Sequence, residues 1–257
     1  MTKYSFHHWL NIQESQQHIV EIQVARFLED ILDKATALKK IDMQAGQPNQ
    51  TYTNYVRQVW PQDAVQNGEF VLPNIFPADI AGQRVQFKLK LGHNAADTVH
   101  DNGKFEGFVI NMYPFNYAKS IEDVDTHLAT LKSAMHHEAE HIYNVGAEYD
   151  SDDWEGDDKH RMAMQYMSNP GEVRAHARQM AYMYAKQFPG EPFDLAKAQS
   201  ILEKPGFTTT HKNYFSGFAK PEVWQKNVNR FGYNHANPHD QIMPLVPQFL
   251  AQYHAQS

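Results

Sequence analysis

The chain contains no cysteine. Disulfides, thiolate zinc sites, iron–sulfur clusters and thiol catalysis are therefore excluded, and any metal must be held by His, Asp, Glu or backbone oxygen. No stretch approaches 18 consecutive apolar residues, so no membrane span is expected. There is also no excess of basic residues. The net charge is −7, which argues against a nucleic-acid partner bound through phosphate neutralisation. The N-terminal run Met1 to Trp9 has no basic stretch followed by an apolar one, so no secretory signal is expected and a cytoplasmic location is the default. A phage-encoded protein packaged in a virion would look the same. Internal repeats and low-complexity tracts are absent too.

What is present is enough to fold. The 257 residues are 42% apolar, sufficient for one large domain or a domain with a lobe. From Asn11 to Ile41, apolar residues recur at spacings near three and four, which predicts a long helix with Asn11 or Ser15 as its cap. Gly46-Gln47-Pro48 ends it. Short β-type runs follow at Phe70–Leu72, Arg84–Leu91 and Phe105–Tyr113. In Arg84–Leu91, Val85, Phe87, Leu89 and Leu91 alternate with polar residues, the pattern of a half-buried strand. Asp101-Asn102-Gly103 has hairpin-turn chemistry, here expected to join that strand to the next.

Helical spacing returns after Pro114. Ser120 or Asp123 can cap a helix reaching Val145 or Gly146. An acidic loop occupies 149–160. A helix from Pro170 or Gly171 to Gln187 precedes Pro189-Gly190, and a shorter one is expected over Asp194–Glu203. From Pro205 onward the chain is expected to be irregular, with a short helix near Pro221–Asn229. The order gives an α+β fold, mainly helical, with a small antiparallel or mixed sheet. Its expected segments are an N-terminal helical stretch (1–48), a core (49–204) and an irregular C-terminal extension (205–257). Within the core lie the sheet (70–113) and the helices at 120–146 and 170–187.

His137-Glu138-Ala139-Glu140-His141 fits H-E-x-x-H. Residues four apart share a helix face, so His137 and His141 can converge on one Zn²⁺. Glu138 is then placed as the base for a water whose pKa zinc lowers to about 7. A chain of this composition yields about 0.05 such motifs by chance. His136, turned by ~100° from His137, is expected to be solvated or to support the ligands from behind.

A catalytic zinc needs a third protein ligand. Asn144 and Ala147 occupy the positions where a metzincin carries Gly and His, so the ligand must come from downstream. Glu172 is the best candidate, in the first turn of the helix that Asn169-Pro170 begins. His160, His176, Glu148 and the Asp152–Asp158 carboxylates are its rivals. Asp150–Asp158 fails the EF-hand pattern and is expected to be a solvated loop. His211, His235, His239 and His254 are expected on the surface or in loops.

An H-E-x-x-H helix paired with a later helix carrying Glu172 and the small residues Ala175 and Ala177 resembles the gluzincin metallopeptidases, especially small phage- or element-encoded members. The resemblance covers roughly residues 120–187. It implies a zincin-like core with the sheet packed on the active-site helix. The implied zinc ligands are His137, His141 and Glu172, the base is Glu138, and the substrate is a peptide or protein. It also implies a strand beside the active-site helix that takes substrate as an added strand. Phe105–Tyr113 is expected to be either that edge strand or an ordinary core strand. Tyr166, Arg174, His176 and Tyr182 are candidates to stabilise an oxyanion. Two other readings remain: a non-catalytic structural or interaction protein such as a virion component, and a di-iron carboxylate protein, since Glu138 and His141 also form a Glu-x-x-His pair.

Overall fold

The computed structural model describes residues 3–47, 50–91, 95–144, 166, 169–202 and 238–255. The chain forms two compact units, Met1–Tyr143 and Asn144–Ser257. Their boundary lies inside the expected core segment 49–204. The first unit opens with α1 (Lys3–Gln44) and α2 (Tyr52–Val59). Five strands follow: β1 (Val65–Gln66), β2 (Glu69–Val71), β3 (Arg84–Lys88), β4 (Ala96–Asp101) and β5 (Lys104–Asn111). A single turn, α3 (Tyr113–Asn116), leads into α4 (Ile121–Glu140).

The sheet is mixed, in the order β1-β2-β3-β5-β4. Only β3 and β5 run parallel, from Arg84 opposite Gly107 to Lys88 opposite Asn111. The Asn102-Gly103 turn joins β4 to β5, and both residues have positive φ, 49° and 75°. Asn-Gly at those positions is the chemistry of a two-residue hairpin turn. This corrects the expectation that the turn joins Arg84–Leu91 to the next strand: β4 intervenes. The strand from Arg84 also stops at Lys88. Val85 is buried, but Leu89 and Leu91 are 58% and 74% exposed. The Asn111 side chain takes over the backbone there, accepting from the Lys90 N–H and donating to the Lys90 carbonyl. Phe105–Tyr113 is not an edge: β5 lies between β3 and β4, and β4 is the edge on that side.

The core is continuous from helices to sheet. Leu28, Ile31 and Leu32 of α1 meet Tyr52, Tyr55 and Val56 of α2 and Val124, Leu131 and Met135 of α4. Trp60 anchors the sheet side. Its ring meets Phe27 and Phe70 at 5.3 and 5.2 Å, and its indole N–H donates to the carbonyls of Ala64 and Val71. That N–H therefore carries no desolvation penalty despite full burial.

Ser120 and Asp123 close a reciprocal capping box at the start of α4. His127, one turn later, is held below the usual histidine pKa of 6.5, chiefly by burial, with the Asp123 charge opposing. A depressed folded pKa means that the unfolded chain binds the proton more readily. The contribution of His127 is thus fully present above pH 6.5 and is lost as the pH falls through that value toward the folded pKa. Urea midpoints should drop between pH 7.5 and 5.5, and His127→Gln should flatten that part of the profile. An identical slope in the variant would rule out His127 as its source.

The second unit contains α5 (Pro170–Gln187), α6 (Leu195–Leu202), α7 (Pro238–Ile242) and α8 (Val246–Ala255). Asn169 caps α5, its side chain accepting from the Gly171 N–H. Within the stretch expected to be irregular, the described residues 238–255 are mostly helical, which corrects the expectation for that part. Val246, Phe249, Leu250 and Tyr253 recur at helical spacing and are buried, giving α8 an apolar face for α5. Arg178 lies 4.9 Å over the Phe249 ring, and Tyr182 meets Tyr253 at 6.0 Å. The acidic stretch 149–160 and the helix expected near Pro221–Asn229 lie outside the described residues, as do Glu148, His160, His211 and His235. Among the described residues, no helix is long and apolar enough to cross a membrane.

Candidate metal centre

The motif falls on the last turn of α4. The helix ends at Glu140, short of the expected Val145, and His141 is its C-cap with φ −81° and ψ −3°. The turn nevertheless stays tight, because the His141 N–H still donates to the Glu138 carbonyl at 3.0 Å. His137 and His141 therefore remain on one face. Their Nε2 atoms are 3.4 Å apart and their rings stand at 71°. Both are buried, at 7% and 4% exposure.

That separation tests whether the pair suits zinc. Two nitrogens each at about 2.0–2.1 Å from one tetrahedral ion lie about 3.3 Å apart. The observed 3.4 Å matches that separation. The donor set fits as well, since two buried imidazoles are preferred ligands for this ion.

Glu138, half-buried, turns toward β4. Its Oε2 accepts from the Thr98 backbone N–H and from the Thr98 hydroxyl, both at 2.8 Å. The same hydroxyl is 2.9 Å from the Glu138 carbonyl oxygen. Two donors on one oxygen fix the plane of the carboxylate before any substrate arrives. Two residues along β4, His100 Nε2 donates to the His141 carbonyl at 2.7 Å. The carbonyl can only accept, so this nitrogen carries the proton. Burial is the main cause that holds the His100 pKa below its ordinary value; its bond to the carbonyl opposes this.

Thr98 and His100 belong to no motif that marks them as site residues in the sequence. The available signal was Ala96–Asp101 itself, a run ending at Asn102-Gly103 that places residues 98 and 100 on one strand face. His136 is not solvated, which removes one of its two expected placements. It is fully buried, with Nε2 3.5 Å from Glu29 Oε2 on α1. It looks toward α1, away from the His137–His141 face.

In the second unit, Glu172 occupies the first turn of α5 at 2% exposure, and His176 lies one turn further on at 5%. Their ligand atoms lie within 4.8 Å of each other. Burying a carboxylate beside an imidazole is costly unless both are paired or bind an ion. Two of the oxyanion candidates are engaged elsewhere in this unit: Arg174 lies over the Phe249 ring, and Tyr182 packs on Tyr253.

Against this geometry, no protein-family model, curated protein or solved structure matches the chain. The functional reading rests on the residues themselves.

Proposed function

We propose that the protein is a zinc-dependent hydrolase, a metallopeptidase of gluzincin type acting in the cytoplasm or, if phage-encoded, in association with a virion. The observation that carries this reading is the 3.4 Å separation of two buried imidazole nitrogens beside a carboxylate already restrained by two donors. His137 and His141 hold the ion through Nε2. Glu172 is taken as the third ligand on its donor chemistry, its burial and its partnership with His176. When bound, zinc supplies Lewis acidity, which polarises a carbonyl and makes water acidic near neutral pH.

The chain's own residues do the rest. Glu138 takes the proton of the attacking water and passes it to the departing amide nitrogen, as a general base and then a general acid. Thr98 keeps that carboxylate in one orientation through both transfers. His100, by holding the His141 carbonyl, fixes the backbone from which the second imidazole projects. The di-iron alternative needs Glu138 as a metal ligand, whereas its Oε2 is turned to Thr98.

A hydrogen bond between the two rings spans the same gap, so metal content decides. The protein should retain zinc that the double variant H137A/H141A loses. Hydrolysis of a casein or peptide-library substrate should fall to background with 1,10-phenanthroline and return on adding zinc. Zinc content equal in the two proteins, with no hydrolysis in either, would leave the interaction-protein reading in its place.

A further inference from the structure

Lys132 and His136 stand four residues apart on α4 and so share one side of it. Both reach the same acidic side chain of α1. Glu29 Oε1 is 3.1 Å from Lys132 Nζ, and Glu29 Oε2 is 3.5 Å from His136 Nε2. One carboxylate thus spans a full turn of α4. Asp33, one turn further along α1, brings both of its oxygens to within 2.8 Å of Lys132 Nζ. Burial works against the charge on Lys132, but Asp33 and Glu29 outweigh it and hold the ammonium pKa above its ordinary 10.5. Glu29 and His136 are both buried.

From this arrangement we infer that Glu29 is a positioning residue for the metal centre: through His136 it fixes the turn of α4 that carries His137 and His141. This role rests on the metal-centre reading above and adds to it a residue from the first helix of the chain. The turn needs an anchor for a local reason. α4 ends at Glu140, and His141 lies past it as the C-cap. The backbone closes there by three-residue steps, from the His141 N–H to the Glu138 carbonyl and from the Ile142 N–H to the Ala139 carbonyl. Such ends fray. His137 lies inside α4 and His141 beyond it, so fraying would change the 3.4 Å between their Nε2 atoms.

The grip comes from two directions. β4 holds Glu138 and His141 through Thr98 and His100. Glu29 holds His136, which is turned by ~100° from His137. A rotation of the turn by ~10° would carry a side-chain tip, about 5–6 Å from the helix axis, through about 1 Å. That is enough to stretch the 2.8 Å bond from the Thr98 N–H to Glu138 Oε2 past hydrogen-bonding range. The chemistry of the grip asks for a carboxylate. Each of its oxygens accepts, one from an ammonium and one from an imidazole N–H. An amide of the same shape has one oxygen and turns its NH₂ toward one of the two donors.

The test measures the Zn²⁺ affinity of the full chain by competition with a chromophoric chelator, with Tm recorded for every variant. Glu29→Gln should weaken zinc binding by about 10- to 100-fold, the usual effect of losing a partner behind a ligand. Asp33→Asn is the control: it loosens the same helix pair through Lys132 but leaves His136 held, and zinc affinity should not change. His136→Gln keeps an N–H donor near the Nε2 position and should retain wild-type affinity, whereas His136→Leu should match Glu29→Gln. Should Glu29→Gln not fold, the two His136 variants decide. Wild-type affinity in Glu29→Gln, or an affinity that falls in step with Tm in Glu29→Gln and Asp33→Asn alike, would overturn the role. Crystal structures of the metal-free proteins form the arm that needs no zinc. In Glu29→Gln the two Nε2 atoms should stand further apart than 3.4 Å, or Glu138 should leave Thr98; unchanged geometry counts against the role. Zinc content equal in wild type and H137A/H141A sinks the hydrolase reading instead, and the metal-free structures still decide what Glu29 does.

Discussion

Replacing Glu138 by Gln should lower kcat/KM for peptide hydrolysis by about 10²–10⁴-fold, the usual contribution of a positioned general base. That corresponds to roughly 3–5 kcal/mol of barrier. The amide preserves shape and can still accept from the Thr98 N–H through its oxygen, so the local fold is kept. What it loses is the ability to take a proton. The loss should therefore fall on kcat, with KM nearly constant and with the zinc held by His137 and His141 unchanged. This split separates a base from a ligand: a ligand variant such as H137A/H141A should lose metal and rate together. Full activity in the Gln variant, measured beside its zinc content, would remove Glu138 from the chemistry.

Gly107→Ala should be the most damaging single methyl group in the first unit. Gly107 opens the parallel pairing of β5 with β3 opposite Arg84, with φ at 141°. A Cβ there would lie 1.8 Å from the Arg84 carbonyl oxygen, a backbone atom that cannot swing aside. Either the ladder opens at its first pair or the strand rotates, and both displace Phe108 and Ile110 from the core. The expected cost is about 4 kcal/mol or more, in the range reserved for backbone incompatibility and broken packing. In a unit of this size that lowers Tm by roughly 10–15 °C. Gly103→Ala is the matched control. It has positive φ but no neighbour within 4 Å, and should cost only about 1–2 kcal/mol. Thermal or urea unfolding of the two variants side by side checks both. A Gly107→Ala protein as stable as the Gly103→Ala control would mean that β5 does not approach β3 in this register.

The contrast between local and distant information explains what could be read from the residues. Helix α5 is bracketed by Asn169-Pro170 and Pro189-Gly190, so both ends are written in adjacent residues. The His137–His141 spacing is likewise local, needing only a helical turn to bring the rings together. The early end of α4 at Glu140 was not legible, because Val145 and Gly146 offer a stronger stop signal than anything at His141. Strand β4 was missed because its apolar content is low: as an edge strand it buries Ala96 and leaves most other positions partly solvated. The parallel pairing of β3 with β5, and the placement of β4 outside β5, follow from contacts distant in sequence. His136 shows the same limit. Its solvated appearance in sequence came from not knowing that Glu29, 107 residues earlier, would sit opposite. In α8 the spacing of Val246, Phe249, Leu250 and Tyr253 was legible, but the surrounding Pro and Asn residues masked it.

His137 and His141 share one side of α4 while His136 faces α1, and this division makes the length of that helix a constraint in its own right. Inserting or deleting one residue between Val124 and Met135 would rotate everything beyond it by about 100°. His137 and His141 would swing out of their face just as His136 swung away from Glu29, and no single substitution could restore both. Point changes on the exposed side of α4 should thus be tolerated far more readily than any change in its residue count.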